Sequence, residues 1–260
     1  MENYSVLEVY FLGTGTSQGI PILGIDHPVG KSEDQKDKRL RTSVLIKWDD
    51  TTILVDCGPD FRQQMLTAEC SYLDAILFTH EHADHIAGLD EIRPLCYLQG
   101  SMPLYASERV MTALEKRYEY IFTQENRYPG APSVIEHIVN SGEAFQVKDK
   151  TVIPIDIMHG PLPIYGYRFG DLVYITDAKY ISEEEIEKLK GCKVLIVNAL
   201  RIKEHPTHFN LTESLAFIEQ VKPERAYLTH IAQDLGFHKE VSAILPNNVY
   251  LAYDNLRINI

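Results

Sequence analysis

The sequence predicts an α/β protein of the α+β kind, with two sheets packed face to face and helices on the outside. Three observations lead there. Short apolar, β-branched runs bounded by Gly, Asp or Pro recur through both halves of the 260 residues. Amphipathic helical stretches follow these runs in both halves instead of collecting at one end. Hydrophobic residues make up 45% and charged residues 24%, which supplies a substantial core at the charge level of an ordinary globular chain. No linker, low-complexity tract or internal repeat interrupts the pattern, so one domain over residues 1–260 is expected.

Taken in order, residues 6–12, 42–46, 52–55 and 75–78 read as strands, and WDDTTILVD reads as a hairpin turning at Asp49 and Asp50. Helices are expected over 59–66, over about 86–97, and from Ser107 to about Tyr118, where Ser107 is suited to an N-cap. The second half repeats the rhythm, with strands at 144–147, 152–157, 164–169 and 172–175. An acidic helix then opens at Ser182, which with Glu185 fits a capping box. Strand 194–197, helix 212–220, strand 226–228 and a final strand region from 249 complete the chain. Segment 119–132 is rich in aromatics and ends in turn residues. It reads as a surface loop over the core, with a lid or a dimer contact as the functional alternatives.

Charge narrows the function classes. With 25 basic and 37 acidic residues the formal charge is −12, which opposes a long polyanion and favours a small substrate. Lys31, Lys36, Lys38, Arg39 and Arg41 form the one basic run, but Glu33, Asp34 and Asp37 interrupt it, as in a solvated loop. The four cysteines form no CxxC pair, so reduced thiols and a cytoplasmic setting are expected. The N-terminal stretch has no basic region followed by an apolar one, and no apolar run reaches transmembrane length.

The strongest chemical signal is AILFTHEHADHIAGL. An apolar strand ends at Thr79, and His80, His82, Asp84 and His85 follow within six positions, with Ile86, Leu89 and Ile92 recurring on one helical face after them. One His in such a turn fits a polar loop facing water, but three His and an Asp after an apolar strand are hard to explain that way. Imidazole and carboxylate together suit zinc, manganese or iron. Four donors exceed the needs of one open tetrahedral site, so two ions are expected, one using His80 and His82, the other Asp84 and His85. His159, Asp177 and His230 each close an apolar run and are followed by Gly, Ala or a turn. Strand ends of a layered protein meet along one edge, so these three can complete the set, with Asp177 offering two oxygens as a bridge. Singly, each also fits a hydrogen-bonded buried His or a helix-capping Asp.

The HxHxDH run together with His159, Asp177 and His230 resembles the metallo-β-lactamase superfamily, and LVDCG resembles its first motif. Within it, GTGTSQGIPILG followed by KRLRTS, then HPTHFNLTESL and AYLTH, resembles the phosphoribosyl 1,2-cyclic phosphate phosphodiesterases. The resemblance implies a four-layer αβ/βα sandwich with metals at the sheet edges, two divalent ions (Zn2+ or Mn2+) per chain, a small cyclic phosphodiester as substrate, and a homodimer. It assigns His80, His82 and His159 to one ion, Asp84, His85 and His230 to the other, and Asp177 to both. Asp56 becomes a carboxylate that orients a ligand imidazole. Catalysis falls to Asp84 at the metal and to His208, in THFNLT, as general acid, with His205 the weaker candidate. Those phosphodiesterases often hold a further zinc in a CxCxxC cluster; Ile25, Asp26, His27, Pro28, Val29 and Gly30 occupy that stretch here, so no third zinc is expected. Gly13, Gly15 and Gly19 lack the GK[ST] ending of a P-loop and read as structural. A nuclease of the tRNA 3′-processing type, a thioester or lactone hydrolase on the same fold, and a non-catalytic metal-binding protein are the competing readings.

Overall fold

The computed structural model describes residues 6–123, 125 and 127–260. Its first sheet comprises β1 (Leu7–Gly13), β2 (Ser43–Trp48), β3 (Thr51–Val55), β4 (Ala75–Leu77), β5 (Met102–Ala106), β6 (Val134–Ile138) and β14 (Arg257–Asn259), in the order β14-β1-β2-β3-β4-β5-β6. The second comprises β7 (Phe145–Val147), β8 (Lys150–His159), β9 (Leu162–Phe169), β10 (Leu172–Tyr174), β11 (Val194–Asn198), β12 (Arg225–Thr229) and β13 (Val249–Leu251), ordered from β13 to β7. Both sheets change from antiparallel to parallel pairing part-way across, at β3–β4 in the first and at β10–β11 in the second.

Period-two alternation explains why the strands are apolar on both faces. Val9 and Phe11 of β1, Val44 and Ile46 of β2, and Ile53 and Val55 of β3 point between the sheets, where they meet Tyr167, Tyr174 and Ile196 of the second sheet. The intervening Tyr10, Leu12, Leu45 and Leu54 point the other way, onto α1 (Phe61–Thr67), α2 (Ala83–Ile86), α3 (Arg93–Gln99), α4 (Glu108–Arg117) and α5 (Glu119–Phe122). On the far side Val173, Leu195 and Val197 pack against α6 (Glu183–Leu189), α7 (Leu211–Val221) and α8 (His238–Ser242). The result is the helix–sheet–sheet–helix order expected of the four-layer sandwich.

Local differences from the sequence expectation have physical causes. The helix expected over 86–97 is three short pieces, α2, a 3-10 turn at Leu89–Ile92, and α3, with Pro94 in the first turn of α3, where its missing N–H costs nothing. Ser182 does cap α6 by accepting from Glu185 N, but the Glu185 carboxylate accepts from Asp156 N of β8 instead of completing the box. The reciprocal box occurs at Asn210 and Glu213 of α7. Two strands were not read from sequence: β5, which contains Pro103, and the exposed β6, with Glu136 and His137 at its centre. The final strand region divides between the sheets, β13 beside β12 and β14 beside β1. In the 119–132 segment Ile121 is buried, while residues 124 and 126 lie outside the described set. No helix among the described residues is long and apolar enough to cross a membrane.

Candidate metal centre

Five strand ends build the site. β3 runs into Asp56, β4 into His80, β8 ends at His159, β10 leads to Asp177, and β12 to His230. Asp56, Asp177 and His230 all have left-handed backbones, with φ of 65°, 57° and 53°. Asp and His are among the few non-glycine residues that tolerate this region, and strain of this kind concentrates where a side chain must be aimed. The turn after β4 is clamped from behind: Cys57 N donates to His85 O at 2.8 Å, and Gly88 N donates to Cys57 O at 2.9 Å.

All eight residues singled out as ligands or acid come together. His80, His82 and His159 present ligand atoms within 4.8 Å of one another, and so do Asp84, His85 and His230. Asp177 belongs to a third such group with His80 and His85, so it touches both trios, and to a fourth with His159 and His208. His208 is therefore drawn more tightly into the cluster than its place in a polar loop suggests. Its Nε2 lies 3.0 Å from Asp177 Oδ1, and its ring stacks on His230 at 5.1 Å. His205 stands behind it, Nδ1 to Nδ1 at 3.1 Å.

Hydrogen bonding settles how several rings face. Asp56 is completely buried and accepts from Thr79 N, from Thr79 Oγ1 and, at 2.7 Å, from His85 Nδ1. That bond leaves His85 Nε2 directed at the cluster, where it is buried without a hydrogen bond; both ring nitrogens of His230 are likewise buried and unbonded. Imidazole nitrogens without hydrogen bonds that lie 3.1 Å from the oxygens of Asp84 and Asp177 fit divalent cations, because a cation would be ligated by rings and carboxylates together.

Electrostatically the carboxylates draw positive charge to the His85 side of the cluster, while burial keeps other rings neutral. Burial pushes the His85 imidazole down, but Asp84, Asp56 and Asp177 outweigh it and hold its proton affinity well above the ordinary histidine level. Burial pushes Asp84 and Asp177 up, yet the surrounding imidazoles keep both carboxyls below their usual range. Desolvation lowers His80 and, with help from His159, His82, favouring the neutral form that a metal ligand requires. In His208 burial prevails over the pull of Asp177 and pushes the imidazole down to about 4.

A model of the beta-lactamase superfamily domain matches residues 51–231, more than half of the chain and the span of every candidate ligand. The chain belongs to the metallo-β-lactamase superfamily. A crystal structure of a diphosphatase from the PhnP family superposes with a TM-score of 0.92 at 39% identity, covering 98% of this chain and 97% of that one. An octanoyltransferase of Porphyromonas gingivalis is 44% identical over 247 residues, 94% of this chain but 50% of that protein. Ribonuclease Z of Acaryochloris marina is 30% identical over 171 residues, 64% of this chain and 48% of the relative. The chain thus spans about half the length of the curated relatives it first matches.

Around the metallo-β-lactamase centre lie contacts that the sequence did not reveal. The carbonyl of Thr207 accepts from His159 Nδ1 at 2.8 Å, so the loop bearing His208 also orients a ligand ring. Arg109 of α4 pairs with Glu81, between His80 and His82, and also donates to the Pro163 carbonyl, tying the ligand turn to the β8–β9 hairpin. Both depend on tertiary packing: the first uses backbone, and Arg109 looks like any exposed helical arginine. A cavity of about 730 Å3 opens elsewhere, between α1 and residues 33–40, and none of the eight site residues lines it.

Proposed function

We propose that the chain is a dinuclear metal-dependent hydrolase of small phosphodiesters. The observation that carries this reading is the pair of three-residue ligand sets, His80/His82/His159 and Asp84/His85/His230, joined by Asp177. Relatives named as a diphosphatase and as ribonuclease Z support phosphoryl chemistry on this fold. The acidic net charge of −12 favours a small substrate over RNA.

In this reading the seven side chains hold two ions, Zn2+ or Mn2+. When bound, such ions acidify the attacking water and neutralise charge on the phosphoryl oxygens. The protein's own residues do the rest. Asp56 fixes the tautomer of His85, the Thr207 carbonyl fixes that of His159, and buried apolar strands behind both keep the rings from turning. His208 stands beside Asp177 on a loop and delivers the proton to the leaving oxygen. An arriving phosphodiester anion raises the proton affinity of that imidazole, opposing the burial that lowers it.

The test is turnover by zinc- or manganese-loaded protein of bis-p-nitrophenyl phosphate, a ribose cyclic phosphate and a tRNA precursor, with metal content measured alongside. Two metals per chain and turnover of the small diesters support the proposal. Cleavage of the tRNA precursor alone moves it to the nuclease reading, and two metals without turnover of any ester overturn it.

A further inference from the structure

The two ligand trios are joined across the seam between the sheets in different ways. His230, from the second sheet, is followed by Ile231, whose N–H donates to the Thr14 carbonyl at 2.9 Å and whose carbonyl accepts from Thr16 N at 3.0 Å. Backbone bonds to the first sheet therefore hold that side. In the other trio His80 and His82 follow β4 of the first sheet, and His159 ends β8 of the second. The β8–β9 hairpin meets the end of β4 through Tyr167 Oη, which donates to Phe78 O at 2.6 Å, and through Tyr165 N, which donates to Thr79 O at 3.1 Å. Both bonds stop short of His80. Beyond them Arg109 makes the join: its guanidinium donates to the Glu81 carboxylate and to the Pro163 carbonyl, and Pro163 pairs with Met158, the residue before His159.

The three rings of this trio are not equally supported. His80 Nδ1 lies 3.0 Å from Thr79 Oγ1, and His159 Nδ1 donates to the Thr207 carbonyl. His82 is exposed, and among the described residues its ring makes no hydrogen bond outside the cluster, only the 3.0 Å contact with His80. Its direction is therefore set by the backbone of the turn, and Glu81 is the anchored residue beside it. One Glu81 oxygen faces Arg109, while the other is buried without a hydrogen bond. An isolated exposed ion pair contributes little to stability. This one differs because a planar fork spans two elements that carry ligands of one ion, which the single ammonium of a lysine does less well.

We propose that Arg109 is a positioning residue for one ion alone: by clamping Glu81 to the β8–β9 hairpin it aligns His80 and His82 with His159, and the Asp84/His85/His230 set does not depend on it. This deepens the two-ion reading above and rests on it. The test is zinc affinity by chelator competition, in chains that keep one trio intact. In the His230→Ala background, where His80/His82/His159 is whole, Arg109→Met is expected to weaken zinc binding about 10–100-fold, the range for a lost partner behind a ligand. In the His159→Ala background the same change should cost less than about threefold, and Arg109→Lys should recover part of the loss in the first background. Arg109→Met also leaves the Glu81 carboxylate without its cation, so the double variant Arg109→Met/Glu81→Gln removes that charge. Thermal melts of metal-free protein should then show recovered stability while zinc affinity at the His80/His82/His159 set stays low. Equal losses in both backgrounds, no loss in the first, or affinity that returns with stability in the double variant overturns the proposal. Wild-type protein that takes up two zinc ions but shows no selective loss overturns this proposal alone. Wild-type protein that takes up a single ion, held through His159 and still weakened by Arg109→Met, overturns the two-ion reading and leaves the clamp standing.

Discussion

His208 reaches the cluster from a loop, whereas His80, His159, Asp177 and His230 come from strand ends. That difference divides the residues by role. A strand-end imidazole is gripped by the sheet behind it, whereas His208 is positioned by side chains, through Thr207, His205 and Asp177. His208→Asn is expected to retain both metals and lose about 10²–10⁴-fold in kcat, the usual range for a lost proton donor. Metal analysis beside steady-state kinetics checks this; loss of one metal would make His208 a ligand with His159 and Asp177. Asp56 acts differently, through His85. Asp56→Asn puts an amide N–H where His85 Nδ1–H and the two Thr79 donors need an acceptor. Zinc affinity by chelator competition should fall about 10–100-fold, with the secondary structure intact.

At the scale of elements, the ligand turn is positioned by interlock. A Cβ on Gly58 would fall 2.1 Å from the Asp84 carbonyl oxygen, and one on Gly88 would fall 2.1 Å from the Gly58 carbonyl oxygen. The end of β3 and the turn after β4 thus touch through backbone alone. Gly58→Ala is expected to push the Asp84–His85 turn outward, lowering stability by about 1–3 kcal/mol, as overpacking does. It should also weaken zinc binding by roughly 10-fold through the displaced ligands. Thermal melts of metal-free protein isolate the first effect and chelator competition the second. This interlock also marks how far the sequence can be read. Ligands that close apolar runs were legible, because a polar group ending a strand is visible in one window. Asp56 was legible only through the resemblance of LVDCG to the superfamily's first motif. The Thr207 carbonyl and the Glu81–Arg109 pair were not, since each depends on which distant elements pack together. Strand pairing across the ends of the chain was hidden likewise: β14 joins β1 across almost the whole sequence, and nothing local to Arg257–Asn259 names its partner.

For the molecule as a whole, the crossing from the second sheet back to the first is held by a buried polar cluster away from the metals. Between β13 and β14, Asp254 accepts from Thr14 Oγ1 at 2.7 Å and from Leu40 N at 2.6 Å. Buried Arg39 donates to Thr14 Oγ1 and to the Ala252 carbonyl, and contacts His238 Nδ1 at 3.3 Å, while His238 N donates to Asp37. Burial pushes Asp254 up from 3.8 to about 6. It pushes His238 down from 6.5 to about 4, with Arg39 adding to the shift. The linkages have opposite signs. Folded Asp254 keeps a proton that the unfolded chain releases, so its stabilisation is complete below pH 3.8 and is lost as pH rises through about 6. Folded His238 resists a proton that the unfolded chain accepts, so its stabilisation is complete above pH 6.5 and is lost as pH falls through about 4. Over the shared window the two largely cancel, and the wild-type cluster contributes little slope. Each single variant exposes the other. Relative to wild type, His238→Gln should gain stability as pH falls from 6.5 to 4.5. Asp254→Asn should gain it as pH rises over the same interval, by about 3 kcal/mol at most for a shift of this size at a buried carboxyl. Urea midpoints of the metal-free proteins at both pH values measure these differences, because titration of the ligand histidines is common to all three chains and drops out. Parallel pH profiles for all three proteins would show that the cluster does not couple protons to the joining of the sheets.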